Sequence, residues 1–241
     1  MIPERMCCKV NEKILSMKNG LIVSCQITDD KGFYDPENPI YGPEMMALIA
    51  RAAVNGGAVG IRVNGPKDTQ AVKKAVNVPI IGINKTDIPG YDVRITPTFN
   101  TAREVILSGA DIVAIDATLR ARPEGITSSE LIKKIKKNFN VLVMADISTL
   151  EEAIKAEKAG ADFVATTLSS YTSYTRNRKK PDFELVQKIF QTIKIPVICE
   201  GGISTPLEAK EALKYGAYAV TVGAMIVNVK RIVEAYNKKM K

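Results

Sequence analysis

Ile195-Pro196-Val197-Ile198-Cys199-Glu200-Gly201-Gly202-Ile203 decides the fold, together with its echo Gly216-Ala217-Tyr218-Ala219-Val220-Thr221-Val222-Gly223. Each run is apolar, too short for a helix and bounded by glycine, so each reads as a buried parallel strand. Between them, Ser204-Thr205-Pro206-Leu207-Glu208 has the marks of a helix start. Thr205 suits the N-cap, Pro206 the first helical position and Glu208 the reciprocal third position of a capping box. The unit is strand, glycine turn, helix, strand, glycine turn. Two glycine turns on adjacent strand ends, backed by a helix N-terminus, suit an anion such as phosphate, with Glu200 at the rim.

The same phrase recurs along the chain. Glycine, a small residue and an apolar run occur at Gly57–Ile61, Gly109–Val113, Gly160–Val164 and Gly216–Val220. Four other apolar runs alternate with these: Leu21–Cys25, Val78–Ile83, Val141–Ala145 and Ile195–Cys199. Helical patterns fall between them, at 44–55, 67–76, 100–108, 128–137, 149–159, 183–192 and about 229–238. Ser148-Thr149-Leu150-Glu151 reads as the capping box of the fifth of these, and Asp182 as the cap of the sixth. Eight strands in four double units predict an α/β fold, a single-domain (β/α)8 TIM barrel of the phosphate-binding type over residues 20–241. Residues 1–19 read as an extension whose helix, near 10–17, covers the barrel floor. The loop Thr28–Pro43 follows the first strand and is expected over the mouth.

Composition narrows the chemistry. The 241 residues are 46% hydrophobic and 25% charged, with 16 glycines, as in an ordinary globular protein. No apolar stretch reaches the roughly 20 residues needed to cross a bilayer, and the mixed N-terminal segment is not a signal peptide. A cytoplasmic location is the expectation. Of four cysteines, Cys25 and Cys199 lie within apolar runs and read as buried thiols, while Cys7 and Cys8 lack the spaced partners of a zinc motif. The net charge of +8 comes from lysines scattered over helix faces, which argues for solvated surface over nucleic acid. Arg176-Asn177-Arg178-Lys179-Lys180 is the compact basic loop, readable either as an attractor of anionic substrate or as solvated surface. There is no histidine, so proton transfer falls to Lys, Glu, Asp, Tyr or Cys, and histidine-ligated metal chemistry is excluded.

Barrel enzymes work at the carboxyl ends of their strands. Those positions here are Gln26, Arg62, Lys85, Asp116, Asp146, Thr166 or Thr167, Glu200 and Gly223. A lysine beside an arginine in a partly dry cavity loses basicity and becomes usable as a base. Lys85 and Glu200 belong to the third and seventh strands, on opposite sides of the barrel. Two proton carriers facing one carbon suit proton abstraction next to a carbonyl. Rival readings are another phosphate-binding barrel, such as an indole-glycerol-phosphate-type lyase or a thiazole synthase, and a non-catalytic barrel that binds sugar phosphate or nucleic acid.

Several phrases are more specific. Gly20–Gln26, Pro79–Lys85, Ile95–Thr98, Asp116–Thr118 with Arg122-Pro123, Met144–Glu152, Thr166–Ser169 with Tyr171-Thr172, and Val197–Gly201 resemble the N-acylglucosamine-6-phosphate 2-epimerase family, also called N-acetylmannosamine-6-phosphate 2-epimerases. The likeness runs from Gly20 to about Val227. It implies an isomerase that interconverts the two amino-sugar phosphates without a cofactor or metal. By this resemblance Lys85 and Glu200 match the catalytic pair. Gln26, Arg62 and Asp146 match polar substrate contacts, and Thr167 is expected with them. Backbone amides of Gly201, Gly202, Gly223 and Ala224 would hold the phosphate. The implied partner is a small sugar phosphate, with neither nucleic acid nor membrane, and a homodimer is compatible with the sequence. Two departures stand out: Asn228 and Gly202 occupy positions where family members often carry arginine, which suggests backbone donors or a borrowed Lys230 or Arg176.

Overall fold

The computed structural model describes residues 12–28 and 38–241. Cys7, Cys8 and most of the loop expected over the mouth lie outside them. Eight parallel strands close into one barrel in sequence order: β1 Leu21–Cys25, β2 Gly60–Asn64, β3 Ile80–Ile83, β4 Ile112–Asp116, β5 Leu142–Asp146, β6 Phe163–Ala165, β7 Val197–Glu200 and β8 Ala219–Val222, with β8 paired back to β1. The wall helices are α2 Pro43–Asn55, α3 Pro66–Ala75, α4 Phe99–Leu107, α5 Ser128–Asn138, α6 Leu150–Ala159, α7 Phe183–Thr192 and α8 Pro206–Lys214. Before them comes the short α1 Glu12–Ser16, and after β8 come α9 Ala224–Val227 and α10 Val229–Met240.

The repeated glycine phrase has a physical cause. Gly57, Gly109, Gly160 and Gly216 each stand three residues before a strand, at φ of 96°, 103°, 97° and 97°. They turn the chain out of a helix through the left-handed region, where a Cβ is costly. The strands therefore begin later than the phrase itself: β2 runs on to Asn64, and Arg62 sits mid-strand rather than at a strand end. Local capping fixes the helix starts. Thr205 and Glu208 form the expected capping box, and Asp182 accepts from the Leu185 amide at 3.0 Å. In α6 the partner of Thr149 is Glu152, not Glu151, because the third helical position follows Leu150 by two.

Period-two alternation divides the strands into two faces. Ile61, Val63, Val113, Ile115, Val143, Val164, Val197, Cys199 and Val220 face the helices. Ile22, Ile81, Ile83, Ile112, Ala114, Leu142, Met144, Phe163, Ala165, Ile198 and Ala219 fill the barrel interior. Met17, fully buried, joins this inner cluster from below. The Tyr218 hydroxyl donates to the Ile14 carbonyl at 3.0 Å and Lys13 pairs with Asp111 at 2.6 Å, tying α1 to the strand starts. The interior is thus apolar up to the carboxyl ends, where it turns polar.

Candidate functional site

Continuing the inward rows by steps of two leads from Ile22 to Ser24 and Gln26, from Gly60 to Arg62 and Asn64, and from Ile81 and Ile83 to Lys85. Further round they reach Asp116, Asp146, Thr167, Glu200, Thr221 and Gly223. The polar ring is a consequence of strand parity.

Arg62 lies at its centre, 1% exposed. Its two terminal nitrogens grip Asp146 at 3.0 and 2.6 Å, and one of them also donates to Glu200 Oε2 at 3.1 Å. The Thr167 hydroxyl donates to Asp146 Oδ1 at 2.8 Å. Burial alone would lower the basicity of Arg62, but the two carboxylates outweigh it and hold the guanidinium charged. The Arg62 Nε, the Gln26 Oε1 and the Thr221 Oγ1 are buried without a hydrogen-bond partner among the described residues. Unpaired polar atoms at the head of a packed barrel are what a polar ligand would satisfy.

Lys85 follows β3 on the inward row, half-buried. Its own amide donates to Asn64 Oδ1 at 2.8 Å, and its backbone bridges Ile95 in a hairpin-like return. No hydrogen bond or ion pair joins its ammonium to a described residue. Burial, then the neighbouring Arg62 and Arg94, push its pKa down to about 8, against the smaller pull of Glu200 and Asp146. Glu200, with 12% of its side chain exposed, moves the opposite way. Burial raises its pKa and Arg62 holds it back, while the Asp146 charge adds to the rise.

The remaining expected positions separate. Thr166 faces its neighbour strand: its hydroxyl donates to the Glu200 carbonyl at 3.0 Å and accepts from the Glu200 amide at 3.1 Å. Of the two threonines, Thr167 is the one in the network. Asp116 belongs to the ring but is committed to Arg120 at 2.5 Å and to Thr118 at 2.6 Å. Gln26 donates to Ser24 Oγ at 2.7 Å. Gly201 and Gly202 turn away from β7 at φ of 110° and 77°, and Gly223 and Ala224 lead into α9. The amides of these four residues donate to no described backbone carbonyl. Just before α8, Glu208 accepts from the Ser204 and Thr205 amides at 2.7 and 3.0 Å. Asn228 is also occupied, donating to the Thr28 carbonyl and capping Arg231. Ser24, Asn64 and Thr221 were not anticipated, though counting by two along their strands finds each. A groove of about 680 Å³ between the β6–α7 loop and helices α6 to α8 lies apart from this ring and contains none of its residues.

Known proteins resemble this chain in sequence and in fold. The sequence profile of the family described as "Putative N-acetylmannosamine-6-phosphate epimerase" matches residues 46–241. The chain belongs to this family of isomerases. A relative from Caldanaerobacter subterraneus subsp. tengcongensis, named "Putative N-acetylmannosamine-6-phosphate 2-epimerase", is 47% identical over 224 residues, covering 92% of each chain. A relative of the same name from Clostridioides difficile is 42% identical over 222 residues, covering 92% of this chain and 96% of its own. The solved structure of the N-acetylmannosamine-6-phosphate 2-epimerase from Clostridium perfringens superposes with a TM-score of 0.86 at 41% identity, over 93% of this chain and 95% of that one. Thiamine phosphate pyrophosphorylase from Pyrococcus furiosus, with a TM-score of 0.57 at 22% identity, shares the barrel alone. Among the described residues, no helix is long and apolar enough to cross a membrane.

Proposed function

We propose that this epimerase-family protein interconverts N-acetylmannosamine 6-phosphate and N-acetylglucosamine 6-phosphate by inverting C2, without a cofactor, as a cytoplasmic step of sialic acid and amino-sugar catabolism. The observation that carries the reading is the placement of Lys85 and Glu200. Lys85 stands two residues past β3 and Glu200 ends β7, four positions apart around an eight-stranded ring, on inward rows, with their proton affinities pushed towards each other.

The charges make that placement productive. Arg62 and Asp146 neutralise one another, leaving one mobile proton for Lys85 and Glu200. A charged pair and a neutral amine with a neutral acid leave the same net charge, and narrowing the gap in affinity brings the second form within reach. In that form the Lys85 amine is a base and the Glu200 carboxyl an acid, on opposite faces of a bound carbon. On the ring-opened sugar, the Lys85 Nζ takes the C2 proton and the C–H electron pair moves into the C1 carbonyl, giving an enolate oxygen. Arg62 is the fixed positive group at the site, and it stabilises that charge with little reorganisation. Glu200 returns a proton to the other face of C2. Phosphate held at the free amides of Gly201, Gly202, Gly223 and Ala224 keeps the sugar in register from a distance.

The test is to incubate either epimer with the protein in deuterium oxide and follow C2 by NMR. Epimerisation with deuterium appearing at C2 is the expected result. Absence of both would overturn the assignment, and full turnover by Lys85→Ala would remove the base.

A further inference from the structure

We propose that Lys180 is a substrate-binding residue, the side-chain cation that completes the anion site at the Gly201–Gly202 turn. This rests on the sugar-phosphate reading above. A phosphate monoester carries between one and two negative charges near neutral pH and is better held by amides and a cation together than by amides alone. Three arginines are already committed elsewhere. Arg62 is spent on Asp146 and Glu200, and Arg120 on Asp116. Arg178 donates to the Ser148 carbonyl and pairs with Asp182.

Lys180 is placed differently. A Cβ built on Gly202 would stand 2.4 Å from the Lys180 Cβ and 3.3 Å from its Cα, so the lysine backbone packs directly against the turn. The glycine makes this approach sterically allowed, and at φ of 77° it also suits the turn itself. The Lys180 Nζ lies 3.4 Å from the centroid of the Tyr171 ring, a cation–π contact that keeps the ammonium on this side of the loop. That ring in turn reaches to 3.9 Å from the point where a Cβ on Gly201 would sit. Tyr171 is 57% exposed, so the pair is not core packing. Lys180 has no ion pair with a described carboxylate. A spare ammonium is therefore held on an aromatic face whose ring edge approaches the Gly201–Gly202 turn, where two peptide N–H groups have no acceptor among the described residues. The residue at 202 and the lysine at 180 act as one device: the missing side chain on the turn makes room for a cation delivered from the preceding loop.

Lys180→Met keeps the aliphatic stem and removes the charge, and Lys180→Arg restores it. Inorganic phosphate titrated into the nitrogen-15-labelled chain should move the amide signals of Gly201, Gly202 and Gly223, with Lys180→Met weakening the apparent Kd about tenfold. The KM for N-acetylmannosamine 6-phosphate should rise by a similar factor, kcat falling less, and Lys180→Arg should recover most of both. Wild-type amides that respond to phosphate, with Kd and KM unmoved in Lys180→Met, would overturn the role of Lys180 and leave the anion site standing. Amides that ignore phosphate would overturn both. Deuterium incorporation at C2, measured separately, reports whether the epimerisation reading survives either result.

Discussion

Replacing Lys85 by methionine should make the protein more stable while abolishing turnover. The folded pKa of Lys85 is about 8, against 10.5 for an unperturbed lysine. At about 1.4 kcal/mol per pKa unit, a charged Lys85 costs the folded state at most roughly 3.4 kcal/mol. Water reaching a half-buried amine reduces this, and half of it, about 1.5–2 kcal/mol, is a fair expectation. The sign follows from linkage. Between the folded and unfolded pKa values the unfolded chain binds more protons, so stability rises with pH from about 8 to about 10.5. Below pH 8 the full penalty is present, so neutral pH is where the substitution helps most. For a chain of this size the gain corresponds to a Tm rise of roughly 3–8 °C. Urea denaturation of both proteins at pH 7 and pH 10 measures it: the stability gap should narrow at the higher pH. A Lys85→Met protein less stable than the parent at pH 7, or a gap independent of pH, would refute the claim that the pocket resists the lysine charge.

Three other substitutions probe the same ring. Glu200→Gln keeps the shape and an acceptor for Arg62 but has no proton to give, so kcat should fall by about 10²–10⁴, read by initial rates with either epimer. Asp146→Asn leaves the buried guanidinium of Arg62 short of charge compensation and should cost about 3–5 kcal/mol in urea denaturation, whereas Thr167→Val, which removes one hydrogen bond to Asp146, should cost about 1 kcal/mol.

Much of this architecture is legible in the sequence because a barrel repeats one local rule. The left-handed glycine before every second strand, the threonine caps and the apolar runs are each decided within a few residues, and together they give the count of eight. Inward parity then extends to the ring, so Lys85 is found two residues past Ile83 with no knowledge of its neighbours. Pairings across the barrel are not visible in this way. That Arg62 divides itself between Asp146 and Glu200 depends on the depth of its layer, which the sequence reading placed too high by assuming that β2 ends there. The bonds from the Ser204 and Thr205 amides to Glu208 follow from its capping box. The contact of Lys180 with Gly202 joins residues 22 apart through a loop of irregular backbone, where no periodicity guides the eye.

The Arg62–Asp146 pair is hard to explain as a source of stability. Both side chains are at or below 1% exposure, and a dry ion pair commonly does no better than apolar residues of the same volume. Its surroundings are not arranged to minimise that cost: among the described residues the Arg62 Nε has no partner, and one terminal nitrogen is shared between two carboxylates. The pair does give rigidity at one defined point. With Arg62 donating two bonds to Asp146, whose carboxylate also accepts from Thr167, the guanidinium is braced against swinging, and one of its terminal nitrogens reaches Glu200. The same fixed positive charge lowers the Lys85 pKa and restrains the rise at Glu200. Stability given up beneath the mouth is thus converted into a charge that cannot move, and under the proposed mechanism that immobility is what would let an amine and a carboxylic acid coexist across a single carbon.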